Sequence, residues 1–168
     1  MDYHKQLGTN ISIVKALKAD IIEDSIENCN ENEFVVCNIA NTNTDQLIER
    51  LIELFEIPYV DFEGQKLNDI QKIAIVAGCG DKVQWMKDAE KLGAQAYITG
   101  EIHCHIDNEY GLRKYKEMKE YVSETSMSLI GVSHSASEYL VKKTIIKDWI
   151  ESIFDVKTVL IPQEKWWL

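Results

Sequence analysis

KIAIVAGCGDKVQWMKDAEKLGAQAYITGE, residues 72–101, decides the architecture. KIAIVAGCG is a continuous apolar run closing on Gly78 and Gly80, the pattern of a strand buried on both faces. In DKVQWMKDAEKLG, Val83, Met86, Ala89 and Leu92 form one helical stripe, and Gly93 stands at its C-terminal end. AQAYITGE then reads as a second strand. Strand, helix and strand within about thirty residues is the length of a right-handed crossover, which predicts two parallel neighbouring strands.

The same alternation extends in both directions. Downstream, EYGLRKYKEMKEYVSE reads as a helix with a charged outer side, and SMSLIGVSH as a strand. SASEYLVKKTIIKDWIESIF is a long helix whose Leu140, Val141, Ile145, Trp149, Ile150 and Phe154 should face inward, and VKTVLIP is expected to close as a strand. Upstream, DQLIERLIELFEI carries an apolar stripe through Leu47, Ile48, Leu51, Ile52, Leu54 and Phe55, with Thr44 as N-cap and Pro58 as the stop. PYVDFEG is a short extended piece and EFVVCNIA a short buried strand. ISIVKALKADIIEDSIENC has helical spacing at Ile13, Val14, Leu17, Ile21 and Ile22. Alternating strands and helices predict an α/β layer fold: a mostly parallel or mixed sheet flanked by helices. Residues 44–168 form the α/β domain. Residues 1–43, the least legible part, are expected to belong to the same domain.

The bulk numbers narrow the function. The 168 residues suffice for one sizeable core, and 45% hydrophobic with 27% charged residues is an ordinary globular balance. A net charge of -10 argues against nucleic acid and against a polybasic membrane anchor, since both need a basic face, but not against cations. Cys29, Cys37, Cys79 and Cys104 form no C-x-x-C pair, which suits a reducing cytoplasm. The polar start MDYHKQLGTN does not read as a signal peptide, and no apolar run is long enough to span a bilayer. Trp166 and Trp167 are expected to cover an apolar surface or to meet a partner chain.

In open α/β sheets ligands gather beyond the carboxyl ends of the strands. The polar clusters fall there, at AGCG (77–80), TGEIHCH (99–105) and GVSH (131–134). His134 and Glu138 are spaced i, i+4, so on a helix one ion can reach both, and nitrogen and oxygen donors suit zinc, iron, manganese or nickel. Ser135-x-x-Glu138 equally matches a capping box, in which Glu138 only serves a backbone N–H. His103 and His105 alternate, and on an extended strand would face one side beside Glu101 and Cys104. A solvated loop explains the same polarity. Thr99 and Gly100 would make a tight turn admitting a ligand to the backbone. Gly78 and Gly80 could set backbone N–H groups against an anion, but Val83 stands where a dinucleotide fingerprint has its third glycine. Cys79 sits at a helix N-terminus, where thiols are activated, yet lacks an obvious partner and is expected to pack.

Taken together, IAIVAGCG, AEKLGAQAYITGE, His105 and HSASE resemble the NIF-three-like family, some members of which are labelled GTP cyclohydrolase I type 2 homologues. The resemblance runs from about residue 44 to the end. It implies an α/β fold of two similar halves with a dinuclear metal site in the cleft between them. By that resemblance His134 and Glu138 are metal ligands, and Thr99, Gly100, Glu101 and His105 line the cleft. The family's first half supplies a tandem His-His-Pro motif and a later aspartate. This chain has no such tandem, so it resembles the second half alone, and Ser133 replaces the glycine that usually precedes the ligand histidine.

The resemblance implies a divalent-metal-binding, hydrolase-like protein acting on a small nucleotide-like substrate, with Glu101 as general base and His103 or His105 as additional ligands. It also implies a homo-oligomer. The alternative is a non-catalytic binding or scaffold module that has lost a complete metal site. A nucleotide-binding unit working through GCGD is a third reading.

Overall fold

The computed structural model describes residues 4, 6–22 and 34–163. Along them run α1 (Thr9–Ala16), β1 (Asp20–Ile21), β2 (Val35–Thr42), α2 (Thr44–Phe55), β3 (Asp61–Gly64), β4 (Ile70–Cys79), α3 (Val83–Lys91), β5 (Ala96–Glu101), α4 (Glu109–Val122), β6 (Ser128–Gly131) and α5 (His134–Val141). A π-helical turn, Lys142–Ile146, joins α5 to α6 (Lys147–Ile153) in one continuous rod.

The six strands make one mixed sheet in the order β1-β2-β4-β5-β6-β3. β4, β5 and β6 are parallel, with Ile73 opposite Ala96 and Ile98 opposite Ile130. The expected parallel pair therefore forms the centre, and antiparallel strands close both sides. Strand alternation sorts the apolar run of β4 onto two faces. Ile73 and Ile75 join Ile98, Leu47, Leu51 and Leu140 on one side, while Ala74 and Val76 join Tyr97, Met86 and Met118 on the other. That double burial is why the run is continuous.

Several local expectations change. The periodic stretch after Ile13 leaves the helix at Leu17, and Lys18 at φ 51° turns the chain so that Asp20–Ile21 pairs with β2. The end of that stretch, including Cys29, lies outside the described residues, as do Trp166 and Trp167. Asn43, not Thr44, caps α2, its side chain accepting from the Gln46 amide at 2.9 Å. Thr44 is helical, and its buried hydroxyl lies 2.7 Å from that of Ser128. α2 ends at left-handed Glu56 (φ 56°), before Pro58 is reached.

The largest departures are C-terminal. Leu140 and Val141 are buried and Ile145 and Ile150 half-buried, but Trp149 and Phe154 are exposed, because the rod turns its later residues away from the sheet. VKTVLIP forms no strand: Val159 and Ile161 are 76% and 82% exposed. β-branched residues favour a strand only where a ladder partner lies alongside. Here Thr158 instead donates its amide and hydroxyl to Glu151 Oε1, at 2.9 and 2.6 Å, and the segment lies along the rod. Among the described residues, no helix is long and apolar enough to cross a membrane.

Candidate functional site

The carboxyl ends of β4, β5 and β6 lie side by side, with β5 between its parallel neighbours. The chain leaving β6 is fixed by the Val132 amide, which donates to the Thr99 carbonyl at 2.8 Å. Ser133 then takes φ 72°, a left-handed value that favours glycine, and its hydroxyl caps α5 by accepting from the Ala136 amide. His134 is thereby the first residue of α5.

Two glycines make room for it. A Cβ on Gly100 would stand 2.5 Å from the Gly78 carbonyl and 2.8 Å from His134 Cα, and one on Gly78 would stand 3.3 Å from His134 Nε2. Gly78 also has φ +71°. Gly100 thus serves close packing of three segments. Gly80 is equally filled, since a Cβ there would meet Thr99 Oγ1 at 2.3 Å. Thr99 itself is buried, its hydroxyl donating to the Gly78 carbonyl at 3.2 Å.

The His134 ring is set between two carboxylates. Nε2 is 3.2 Å from Glu138 Oε1, and Nδ1 is 3.6 Å from Glu101 Oε1. The two side chains of the i, i+4 pair do meet, and Glu138 also takes Lys142 Nζ at 3.4 Å. The capping box does not form, because Ser133 rather than Ser135 holds the N-cap position and Glu138 turns to His134 and Lys142. A neutral imidazole has one N–H. The Nε2–Glu138 contact is within hydrogen-bonding distance, whereas Glu101, 3.6 Å from Nδ1, stands just beyond it. The His134, Glu138 and Glu101 side chains are 40%, 44% and 23% exposed, open enough for a ligand to enter.

His103 and His105 do not stand together. The chain bends after Glu101, so the alternation of an extended strand lapses there. His103 packs against Tyr115 at 5.1 Å between ring centroids, and its Nε2 is 3.1 Å from Glu63 Oε1. Its Nδ1 is buried without a hydrogen-bond partner. Burial pulls the Glu63 carboxyl upward, but the Lys119 ammonium and His103 outweigh it and hold the group below its usual range. His105 is exposed. Among the described residues, no three His, Cys, Asp or Glu side chains converge as a metal-holding group.

Cys79 is exposed rather than packed, and it is not activated: partial burial of its sulfur, with the Asp81 and Glu101 carboxylates, pushes the thiol up to about 12. The Glu63 contact had no sequence signal, since it joins residues through the fold rather than through a motif.

A family model described as Duf34/NIF3 (NGG1p interacting factor 3) matches residues 1–165. The chain is 25% identical over 134 residues to the "GTP cyclohydrolase 1 type 2 homolog" of Staphylococcus epidermidis, a match covering 76% of this chain and 32% of that protein. It thus spans about a third of the length of that curated relative. Among solved structures, a protein called ybgI, described as of unknown function, superposes with a TM-score of 0.71 at 17% identity, over 98% of this chain and 59% of that one. Reduced HcgD from Methanocaldococcus jannaschii superposes with a TM-score of 0.63 at 13% identity, over 90% and 54%. These likenesses establish the fold alone.

Proposed function

The chain belongs to the Duf34/NIF3 family, and from that premise we propose that it binds a divalent metal ion at His134 and Glu138 and acts as a hydrolase on a small nucleotide-like molecule. The observation that carries this reading is the imidazole held between two carboxylates, 3.2 Å from Glu138 and 3.6 Å from Glu101. A cation at Nε2 would be shared by Glu138. The donor set of one nitrogen and one oxygen fits zinc, iron, manganese or nickel, with solvent or a second copy of the chain supplying the rest.

A bound divalent ion supplies a water acidic enough to yield hydroxide near neutral pH. Glu101 faces Nδ1 at 3.6 Å and would orient the ring with Nε2 toward the ion, as carboxylates commonly do behind ligand histidines. Its second oxygen makes no hydrogen bond among the described residues and is placed to take a proton as general base. Gly78 and Gly100 hold the root of His134 against the strand ends, so the ring needs little reorganisation. An anion contact at Gly78 and Gly80 and a cleft lined by Thr99, His103 and His105 belong to the same proposal. So does assembly as a homo-oligomer in the cytoplasm, where Cys37, Cys79 and Cys104 stay free.

The test is metal content after incubation with manganese or zinc and desalting, read by mass spectrometry. Wild type should retain stoichiometric metal, His134→Ala should lose it, and Glu101→Gln should weaken binding by about 10- to 100-fold. A metal-free wild type, or equal retention by His134→Ala, refutes the proposal. The first of those results would favour the scaffold reading, which draws on the lack of a third converging ligand among the described residues.

A further inference from the structure

A groove of about 480 Å³ opens beside Glu138, between the π turn with its flanking helices and residues 158–163. We infer that this groove holds the substrate of the site just described, and that the substrate is an organic anion with an apolar or aromatic body. The inference rests on the metal reading for the chemistry at its inner end, but the groove itself is built independently of it.

One end is Glu138, whose carboxylate also reaches His134 Nε2. Ile146, Ile150 and Leu160, each half-buried, give an apolar lining. Two ammonium groups border it. Lys142 is bonded to Glu138, whereas half-buried Lys147 makes no ion pair or hydrogen bond among the described residues. Glu151, one turn beyond Lys147, acts on it only through space, and its Oε1 is taken up by Thr158. That contact seats the segment forming the opposite wall. In a chain of net charge -10, a lysine without a hydrogen-bonded partner over an apolar lining, its charge only partly offset through space by Glu151, is a local site for an anion.

The π turn is the second observation. Its extra residue shifts the helical register between Lys142 and Lys147, and such turns recur at functional sites. Glu138 repels an anion at the inner end, so the anionic group sits toward Lys147 and the uncharged, reacting end points toward Glu138 and His134.

The probe is 1-naphthyl phosphate, titrated into the full 168-residue chain by calorimetry in the presence of a chelator, so that the result does not depend on metal. Inorganic phosphate and 1-naphthol are titrated separately, and manganese binding is measured apart on wild type. Saturable binding of 1-naphthyl phosphate, tighter than either fragment, is expected. Lys147→Ala should weaken it by about tenfold and Lys147→Glu by more, as for loss of a charge-assisted contact. Both variants alter a half-exposed side chain, and their folding is checked by thermal melting. Absence of binding, equal binding by Lys147→Glu, or 1-naphthol binding as tightly as its phosphate overturns the inference. None of those results bears on the manganese titration, which decides the metal reading alone.

Discussion

Replacing Gly100 by alanine tests how the histidine is placed. The new methyl carbon would lie 2.5 Å from the Gly78 carbonyl oxygen, 2.8 Å from His134 Cα and 3.1 Å from His134 N, whereas ordinary contact begins at 3.4 Å. All three neighbours are backbone, so relief requires the end of β4 or the start of α5 to retreat by nearly an ångström. Overpacking of this kind costs about 1–3 kcal/mol, and rigid neighbours put this case near the top of that range. For a domain of this size that lowers the melting temperature by roughly 6–12 °C. A matched control is Gly64→Ala, which would meet the Met127 carbonyl at 2.3 Å and strain a φ of +80°, but on the β3 edge of the sheet. Both variants should melt early. Only Gly100→Ala should also weaken manganese binding, by at least about tenfold, because it displaces a ligand. Melting is followed by circular dichroism and manganese by calorimetry at a temperature where both variants are folded. A Gly100→Ala protein that melts with wild type, or that binds manganese as Gly64→Ala does, would show that the close approach does not set the site.

Two further outcomes follow from titrating groups other than the His134 pair. Burial opposes the Glu90 carboxylate, but Ser126 hydroxyl and amide, Tyr121 and Thr125 donate to it and hold its carboxyl below the usual range. A depressed carboxyl contributes stability that is full above its unfolded pKa and lost as pH falls through the folded one. Glu90→Gln should therefore cost about 1 kcal/mol at pH 7 and converge on wild type in strong acid, as read from urea midpoints across pH; a constant gap would contradict the assignment. Cys79, though exposed, has its thiol pushed up to about 12, so iodoacetamide should modify it slowly at pH 8 and faster in Asp81→Asn. Peptide mass spectrometry measures both rates, and fast labelling of wild-type Cys79 would exclude the raised value.

What the sequence discloses here depends on how local the physics is. Residues 72–101 carried their own answer, because double burial and a helical stripe are written in period. The i, i+4 meeting of His134 and Glu138 was legible for the same reason. Contacts made by long-range packing were not. Glu63 reaches His103 across some forty positions, and no spacing rule joins them. VKTVLIP has strand-forming residues but no ladder partner, and the inward-facing reading of Trp149 and Phe154 extended a periodicity past α5, the part of the rod that packs on the sheet. Thr99 and Gly100, expected in a tight turn open to a ligand, lie within β5 instead, and the group that approaches Gly100 is the backbone of His134.

β5 is bonded on both sides by parallel strands, and Ile98 is wholly buried, whereas the outer wall of the groove hangs from the rod by two hydrogen bonds at Thr158. The site therefore has a firmly held floor at the strand ends and a lightly held outer wall. Amide protons in the central strands should exchange only when the sheet opens, whereas those of residues 158–163 should exchange far sooner, as hydrogen-exchange mass spectrometry would read.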